Sequence, residues 1–371
     1  MSSSTPKNND PYKNKKQIAI IGSGAWASVI ARIIARNVLI LKRFHPIVKM
    51  FVYDEIINNK KLSDIINETH ENVKYAPGYI FTKNLKAIPD LVECVKFADI
   101  LVFVVPRQYV ENTCKTIVGN VKPNAVAVSL TKGFEVRPGG SLWLISHIIT
   151  KLLNIKCHVF MGANLAPEVA AEQKICRSTL GCTHKTWGKW LKEIFETDHL
   201  KINVVDDEDT VEACGALKNI VATAVGLMDG LAQKNHYKEA TMRLGFIEMI
   251  KFVDIFYPGG KLSTFFESCG IEDLIVTSYG GRNSKCAKEM VVTGKKLAQI
   301  EEEMLKGQKL QGPDTASQVC TMLRAHKMTH KFPFFTKVHA VCNGDEPPDS
   351  LKEYVEKNMS KKTYVPVNLI I

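Results

Sequence analysis

Gln17-Ile18-Ala19-Ile20-Ile21 runs straight into Gly22-Ser23-Gly24-Ala25-Trp26-Ala27, and a helical pattern continues to Arg36. The apolar run is too short for a helix and reads as a buried parallel strand. Beyond it, apolar residues recur at 26, 29, 30, 33 and 34, which is helical spacing. The turn between them is G-x-G-x-x-G/A with Ala27 in the third place. Gly22 permits the tight turn, Gly24 lets the backbone approach a pyrophosphate, and Ala27 allows close helix–sheet packing. The helix start, Ser23 to Trp26, then offers free N–H groups and a positive dipole end to phosphates. A glycine pattern alone is a weak signal, but a strand before it and a helix after it form the context a dinucleotide site requires. The acidic residue expected about 20 residues on arrives late, as Asp54-Glu55, after an insertion at 39–46. An acid there accepts from a ribose 2′-hydroxyl and repels a 2′-phosphate, which favours NAD over NADP. The same pair also suits a plain turn at a strand end.

Outward from this unit, apolar runs at 50–53, 85–88, 100–105, 125–130 and 158–161 read as further strands. Helical stretches such as 142–153 lie between them. That alternation predicts βαβ units and a parallel sheet covered on both faces. It lasts to about Val205. Asp206-Asp207-Glu208-Asp209 then supplies the acidic residues favoured in a helix's first turn. Residues 211–231, 238–256, 284–305 and 316–327 all read as helices, with no convincing strand among them. The expected plan is a disordered polar tail at 1–16, an α/β Rossmann-type dinucleotide-binding domain at 17–205, and an all-α domain at 206–371.

Composition narrows the function. The chain has 371 residues, 45% hydrophobic and 23% charged, which suits a soluble protein of two domains. Its 49 basic and 38 acidic residues give a net charge of +11, which excludes an acidic disordered chain and points to anionic partners. Aromatics are not interleaved with basic residues and the lysines are scattered, so no nucleic-acid partner is expected. No stretch of 18 uncharged apolar residues occurs, so no membrane partner is expected. The N-terminal tail has no apolar secretory segment, and the C-terminus matches no prenylation or peroxisomal signal. Ten cysteines at irregular spacings lack any Cys-x-x-Cys pair. They read as reduced thiols of a cytoplasmic protein with no metal site.

Three places carry candidate chemistry. Lys218 sits in a nearly apolar stretch, 213–232, sharing a helix face with Ala222, Val225 and Asp229. A lysine there either snorkels to solvent or takes part in chemistry, and spacing alone does not choose. Gly280-Gly281-Arg282-Asn283 precedes a helix. Its arginine offers a planar fork to a phosphate or carboxylate, although a helix-entry turn with a surface arginine has the same local pattern. Lys132 and Asn164 each follow a strand, which places them at the carboxyl ends where an open α/β sheet binds ligands. Turn chemistry would account for either one.

Together these segments resemble the NAD-dependent glycerol-3-phosphate dehydrogenases of the eukaryotic cytosolic type. The likeness rests on GSGAWA (22–27), FVYDE (51–55), ADILVFVVPRQY (98–109), TKG (131–133) and MGANLAPEVA (161–170). It continues through ALKN (216–219), ESCGIEDLIVTSYGGRN (267–283) and KLQGPDTA (309–316). Ala27 stands where many members carry a third Gly, and Tyr109 where Phe is usual. The resemblance implies a 6-phosphogluconate dehydrogenase-like two-domain fold, a homodimer joined through the helical domain, and reversible reduction of dihydroxyacetone phosphate by NADH to sn-glycerol 3-phosphate. It implies that Lys218 is the general acid, assisted by Lys132 and oriented by Asp273. Asn164, Asn219 and Thr277 would surround the substrate, and Arg282 and Asn283 would hold its phosphate. Gly22 to Ala27 would cradle NAD, with Phe44, Tyr109, Lys132, Ala166 and Arg282 beside it. Lys309 and Gln311 would come from a loop closing over the cofactor. Another two-domain dehydrogenase, of ketopantoate or hydroxyacyl type, is disfavoured by the Gly-Gly-Arg-Asn and Ala-Leu-Lys-Asn segments. A non-catalytic NAD-binding regulator would need Lys218, Asp273 or Arg282 to be replaced, and all three are present.

Overall fold

Ile18 and Ile20 point to one side of the first strand and Ala19 and Ile21 to the other, and all four are fully buried. That two-sided burial explains why the strand is an unbroken apolar run. The computed structural model describes residues 14–231, 235–360 and 362–370. Most of the tail expected to be disordered, 1–13, lies outside the described residues. Lys16 already belongs to the first strand.

The main sheet contains β1 (Lys16–Ile21), β2 (Phe44–Phe51), β3 (Leu85–Ile88), β4 (Ile100–Phe103), β5 (Val126–Ser129), β6 (Lys156–Met161), β7 (Cys176–Gly181) and β8 (Leu200–Val205). Their order is β8-β7-β6-β5-β4-β1-β2-β3. The chain starts in the middle, works to one edge and then returns to the other, which is doubly wound topology. On one face α1 (Ala25–Ile40) packs Ile30 and Ile34 against Ile18 and Ile20. On the other, α2 (Arg107–Ile117) and the helix Ile145–Leu153 bury Val110, Ile117 and Ile148 against Ala19 and Ile21.

Several expectations need correction. The sheet is mixed, because β6 and β7 pair antiparallel. Their connection, 162–175, turns back at the carboxyl end of β6 instead of crossing over, so Gly162 to Ala166 stay at the ligand mouth. Residues 39–46 form no separate loop: α1 runs to Ile40 and β2 begins at Phe44. Leu142–Leu144 is a short strand, and the helix starts only at Ile145. The stretch 284–305 is two helices, broken where Gly294 takes a left-handed φ of 66°. β8 carries polar residues on alternate positions and β7 has three in a row, Arg177 to Thr179, so both give a weaker apolar signal than β4.

The second domain is helical as expected. Among its described residues the only β pairing is an isolated bridge, Lys261 to Ile370. Its axis is α3 (Glu208–Gly230), buried along almost its whole length. That burial inside the protein accounts for a 23-residue helix apolar enough to pass for a membrane span. Around it pack α4 (Asp273–Gly280), α5 (Arg282–Thr293), α6 (Gln311–Ala325) and the helices Asn235–Phe256 and Pro333–Asn343. The helical core also takes in Val159 and Met161 of β6 and Phe134 and Leu144, so one apolar core crosses the domain boundary. All ten cysteines are free and buried.

Candidate active site

At the end of β1 the chain turns at Gly22 with φ 124°, and a Cβ there would lie 2.5 Å from the Val104 carbonyl oxygen of the neighbouring strand end. No L side chain fits that position. Gly24 differs, because a Cβ there would meet nothing within 4 Å. The missing side chain at Gly24 leaves open space beside the start of α1, which has no side-chain cap and no acid in its first turn. Its first N–H groups are therefore available to an anion. Asn72, fully buried, steadies the loop by donating to the Ser23 carbonyl and the Ser28 hydroxyl, both at 2.9 Å. Ser23, Ala25, Trp26 and Ala27 follow in the positions the sequence suggests. This cradle fits a dinucleotide pyrophosphate.

The chemistry gathers where the two domains meet. Lys132 projects from the end of β5, and Lys218 comes from the middle of α3. Asp273, the first residue of α4, lies between them. Lys218 Nζ donates to Asp273 Oδ1 at 2.6 Å, and Lys132 Nζ donates to Asp273 Oδ2 at 2.9 Å. Thr277, one turn further along α4, accepts from Lys218 and donates to Asp273 Oδ1 at 3.2 Å. One carboxylate thus serves two ammonium groups, one per oxygen. Lys218 does not snorkel, since its side chain is only 6% exposed. Burial pulls its pKa down to about 7; Asp273 resists that shift and Lys132 adds to it. Burial opposes the charge on Asp273, but the two lysines hold its carboxyl below the ordinary value. A lysine that titrates near neutrality, beside an acceptor that orients it, is suited to giving and taking a proton.

Asn164 lies past the end of β6. Its Nδ2 donates to Ser178 Oγ, while its Oδ1 is buried with no partner among the described residues. Ala166 starts the short helix beyond it. Arg282 is the first residue of α5, exposed, with Nη1 3.3 Å from Gln308 Oε1. Asn219 and Asn283 are buried and bonded to each other: Asn283 Nδ2 donates to Asn219 Oδ1 at 2.9 Å. Their amides bridge α3 and α5.

Not every expected residue arrives at the site. Phe44 is fully buried at the amino end of β2, opposite Lys16, whereas ligands bind at the carboxyl ends. It is a core residue and cannot flank NAD. The aromatic residue at the correct end of β2 is Tyr53, 73% exposed, just before the acidic pair. Its signal was its place directly after the strand, where FVYDE turns polar. Glu55 is held by Lys74 and by the Tyr75 hydroxyl at 2.7 Å, contacts that lower its pKa. Asp54 accepts from the Ser63 N–H at 3.3 Å. The acidic pair therefore also organises the following turn. Lys309 pairs with Glu301 at 2.7 Å, and Gln311 opens α6 instead of lying in a loop. Tyr109 is exposed on the first turn of α2, free to offer its ring.

A doubly wound dinucleotide domain, a helical domain and a lysine–carboxylate cluster between them define a two-domain nicotinamide-dependent dehydrogenase. Comparison with known proteins gives the family. Residues 17–188 match the model of the NAD-dependent glycerol-3-phosphate dehydrogenase N-terminus, and residues 207–353 match that of its C-terminus. The cytoplasmic glycerol-3-phosphate dehydrogenase [NAD(+)] of Drosophila melanogaster is 53% identical over 93% of this chain and 95% of its own. The Rattus norvegicus protein of the same name is 48% identical over 90% and 95%. The solved glycerol-3-phosphate dehydrogenase of Plasmodium falciparum superposes with a TM-score of 0.88 at 37% identity, covering 95% of this chain and 97% of that one. The chain belongs to the NAD-dependent glycerol-3-phosphate dehydrogenase family, and its cofactor is NAD.

Proposed function

We propose that the protein reduces dihydroxyacetone phosphate reversibly to sn-glycerol 3-phosphate, with Lys218 carrying the proton. The observation that supports this most directly is the buried Lys218–Asp273–Lys132 cluster at the carboxyl end of the sheet. Bound NADH supplies the hydride, and Gly22 to Ala27 would hold its pyrophosphate. Negative charge then grows on the ketone oxygen. Lys218 gives that oxygen its proton, and Lys132 lies close enough to stabilise the charge as it forms. The balance is one ketone, one NADH and one proton giving one secondary alcohol and NAD⁺. In the reverse direction the Lys218 amine takes the hydroxyl proton.

Arg282 anchors the phosphate dianion with the N–H groups at the start of α5, where no side chain caps the helix. Anchoring a group that does not react fixes the ketone carbon for the hydride. Asn164, with its unpaired buried oxygen, and Thr277 line the substrate. Asn219 and Asn283 hold the wall against which it lies. Tyr109 and Ala166 would border NAD, with Lys309 and Gln311 at the rim. Relatives named as cytoplasmic enzymes set the compartment as the cytoplasm, and the reading includes a homodimer, which light scattering at twice the chain mass would report.

The deciding measurement is loss of NADH absorbance with dihydroxyacetone phosphate, run beside unphosphorylated dihydroxyacetone and beside NADPH. Turnover confined to the phosphate ester and NADH supports the proposal. Equal turnover of both ketones removes the phosphate anchor from it.

A further inference from the structure

Arg107 opens α2 just past the end of β4, in the dinucleotide domain. Its Nε donates to Asp314 Oδ2 at 2.8 Å and its Nη2 donates to Asp314 Oδ1 at 2.8 Å. Asp314 belongs to the first turn of α6, in the helical domain. The guanidinium therefore spans the cleft as a fork on a fork, the geometry that gives ion pairs direction as well as attraction. Its third nitrogen, Nη1, donates to Glu135 Oε2 at 3.1 Å, tying the arginine back to its own domain.

Both ends of this pair lead to the catalytic lysines. The Arg107 stem lies against Gly133, the residue after Lys132: a Cβ at Gly133 would be 2.8 Å from Arg107 Cδ. At the other end, Gly312 lies two residues before Asp314. Its N–H donates to Asn283 Oδ1 at 2.9 Å, and Asn283 in turn donates to Asn219, the neighbour of Lys218. A Cβ at Gly312 would be 2.1 Å from Thr223 Oγ1 and 2.5 Å from the Asn219 carbonyl oxygen. The first turn of α6 thus rests directly on the part of α3 that carries Lys218.

We propose that Arg107 is a positioning residue, which clamps the first turn of α6 onto the dinucleotide domain through Asp314 and so sets the spacing of Lys132 and Lys218 about Asp273. The inference rests on the reading of Lys218 as the proton carrier. Losing the clamp loosens the cleft at the point where the two lysines approach one carboxylate. Water then reaches Lys218, and its ammonium form persists to higher pH.

The test uses Arg107→Ala, Arg107→Lys, Asp314→Asn and the exchanged pair Arg107→Asp with Asp314→Arg in the full chain. Displacing reacting groups by about an ångström costs up to about 10²-fold, so Arg107→Ala is expected to lower kcat/KM roughly 10- to 100-fold. The alkaline limb of its ketone-reduction profile should move to higher pH, a shift that loss of stability alone would not produce. Arg107→Lys and the exchanged pair should each recover part of the rate. An unmoved limb together with no recovery in the exchanged pair overturns the proposal, and so does an unchanged kcat/KM. If Arg107→Ala does not fold, Asp314→Asn, which keeps the shape and loses the charge, is read by the same criteria. Hydrogen exchange at the first turn of α6 separates the two readings. Faster exchange in Asp314→Asn supports the clamp, whereas absence of ketone turnover in the unmodified protein refutes the functional reading alone.

Discussion

Asp273→Asn tests the centre of the site, because it keeps the shape and removes one charge. Among the described residues Asp273 is the only carboxylate bonded to Lys218, at 2.6 Å, and it opposes both burial and the like charge of Lys132. A hydrogen bond to a charged group contributes about 1.5–3 kcal/mol. At about 1.4 kcal/mol per tenfold, its loss moves the Lys218 equilibrium roughly 10- to 100-fold towards the neutral amine. The sign follows from the roles. Ketone reduction needs the ammonium, so its rate falls as pH rises through the Lys218 pKa, and the substitution shifts that fall to lower pH. Alcohol oxidation needs the amine, so its pH dependence moves the same way and the form it uses becomes more abundant at neutral pH. Initial rates in both directions across pH 5 to 9, at saturating cofactor, read the effect. Reduction above pH 7 should drop by about one to two orders of magnitude, with partial recovery in acid. A limb that stays in place, or moves to higher pH, would refute the assignment of Lys218 as the titrating acid and Asp273 as its orienting base.

Lys218→Ala should retain NADH binding by fluorescence while losing about 10²–10⁴-fold in kcat, the usual contribution of a placed acid; near-normal turnover would remove Lys218 from the mechanism. Arg282→Ala should raise KM for dihydroxyacetone phosphate far more than for dihydroxyacetone, and equal changes would take Arg282 out of the phosphate site. Gly24→Val should fold normally, since its Cβ enters open space, yet lose NADH affinity. Gly22→Val, whose Cβ would meet the Val104 carbonyl, should instead lower the melting temperature.

The dinucleotide domain was legible because its signals are local. An apolar run, a glycine turn and a helical period all fall within about twenty residues, and each is fixed by sterics or by burial on both faces. The helix around Lys218 was legible for the same reason. What failed was information carried by partners far away in sequence. Phe44 and Tyr53 are both aromatics at an end of β2, and only the direction of pairing with β1 tells which end faces the ligand. The antiparallel β7 was hidden because Arg177, Ser178 and Thr179 interrupt its apolar run, and its direction depends on a connection that folds back over the site.

The site shows the same division. Lys132, Lys218 and Asp273 could each be singled out, or carried over by resemblance, but no local rule says that one carboxylate takes both lysines. Asp273 is 141 residues from Lys132 and 55 from Lys218, so the cluster exists only once the two domains have packed. The depressed pKa of Lys218 follows from that packing, because burial and Lys132 act on it from separate elements. The net charge of +11 bears on function through the same arrangement. In the proposed reaction its useful part consists of a few cations brought to one cleft, and Lys218 is held where burial and Lys132 both oppose its charge. An ammonium stable at every pH would hold its proton too tightly to give it up as the ketone oxygen becomes basic. In the proposed mechanism the fold makes a reactive lysine by burying it, and keeps it charged enough to act by placing Asp273 against it.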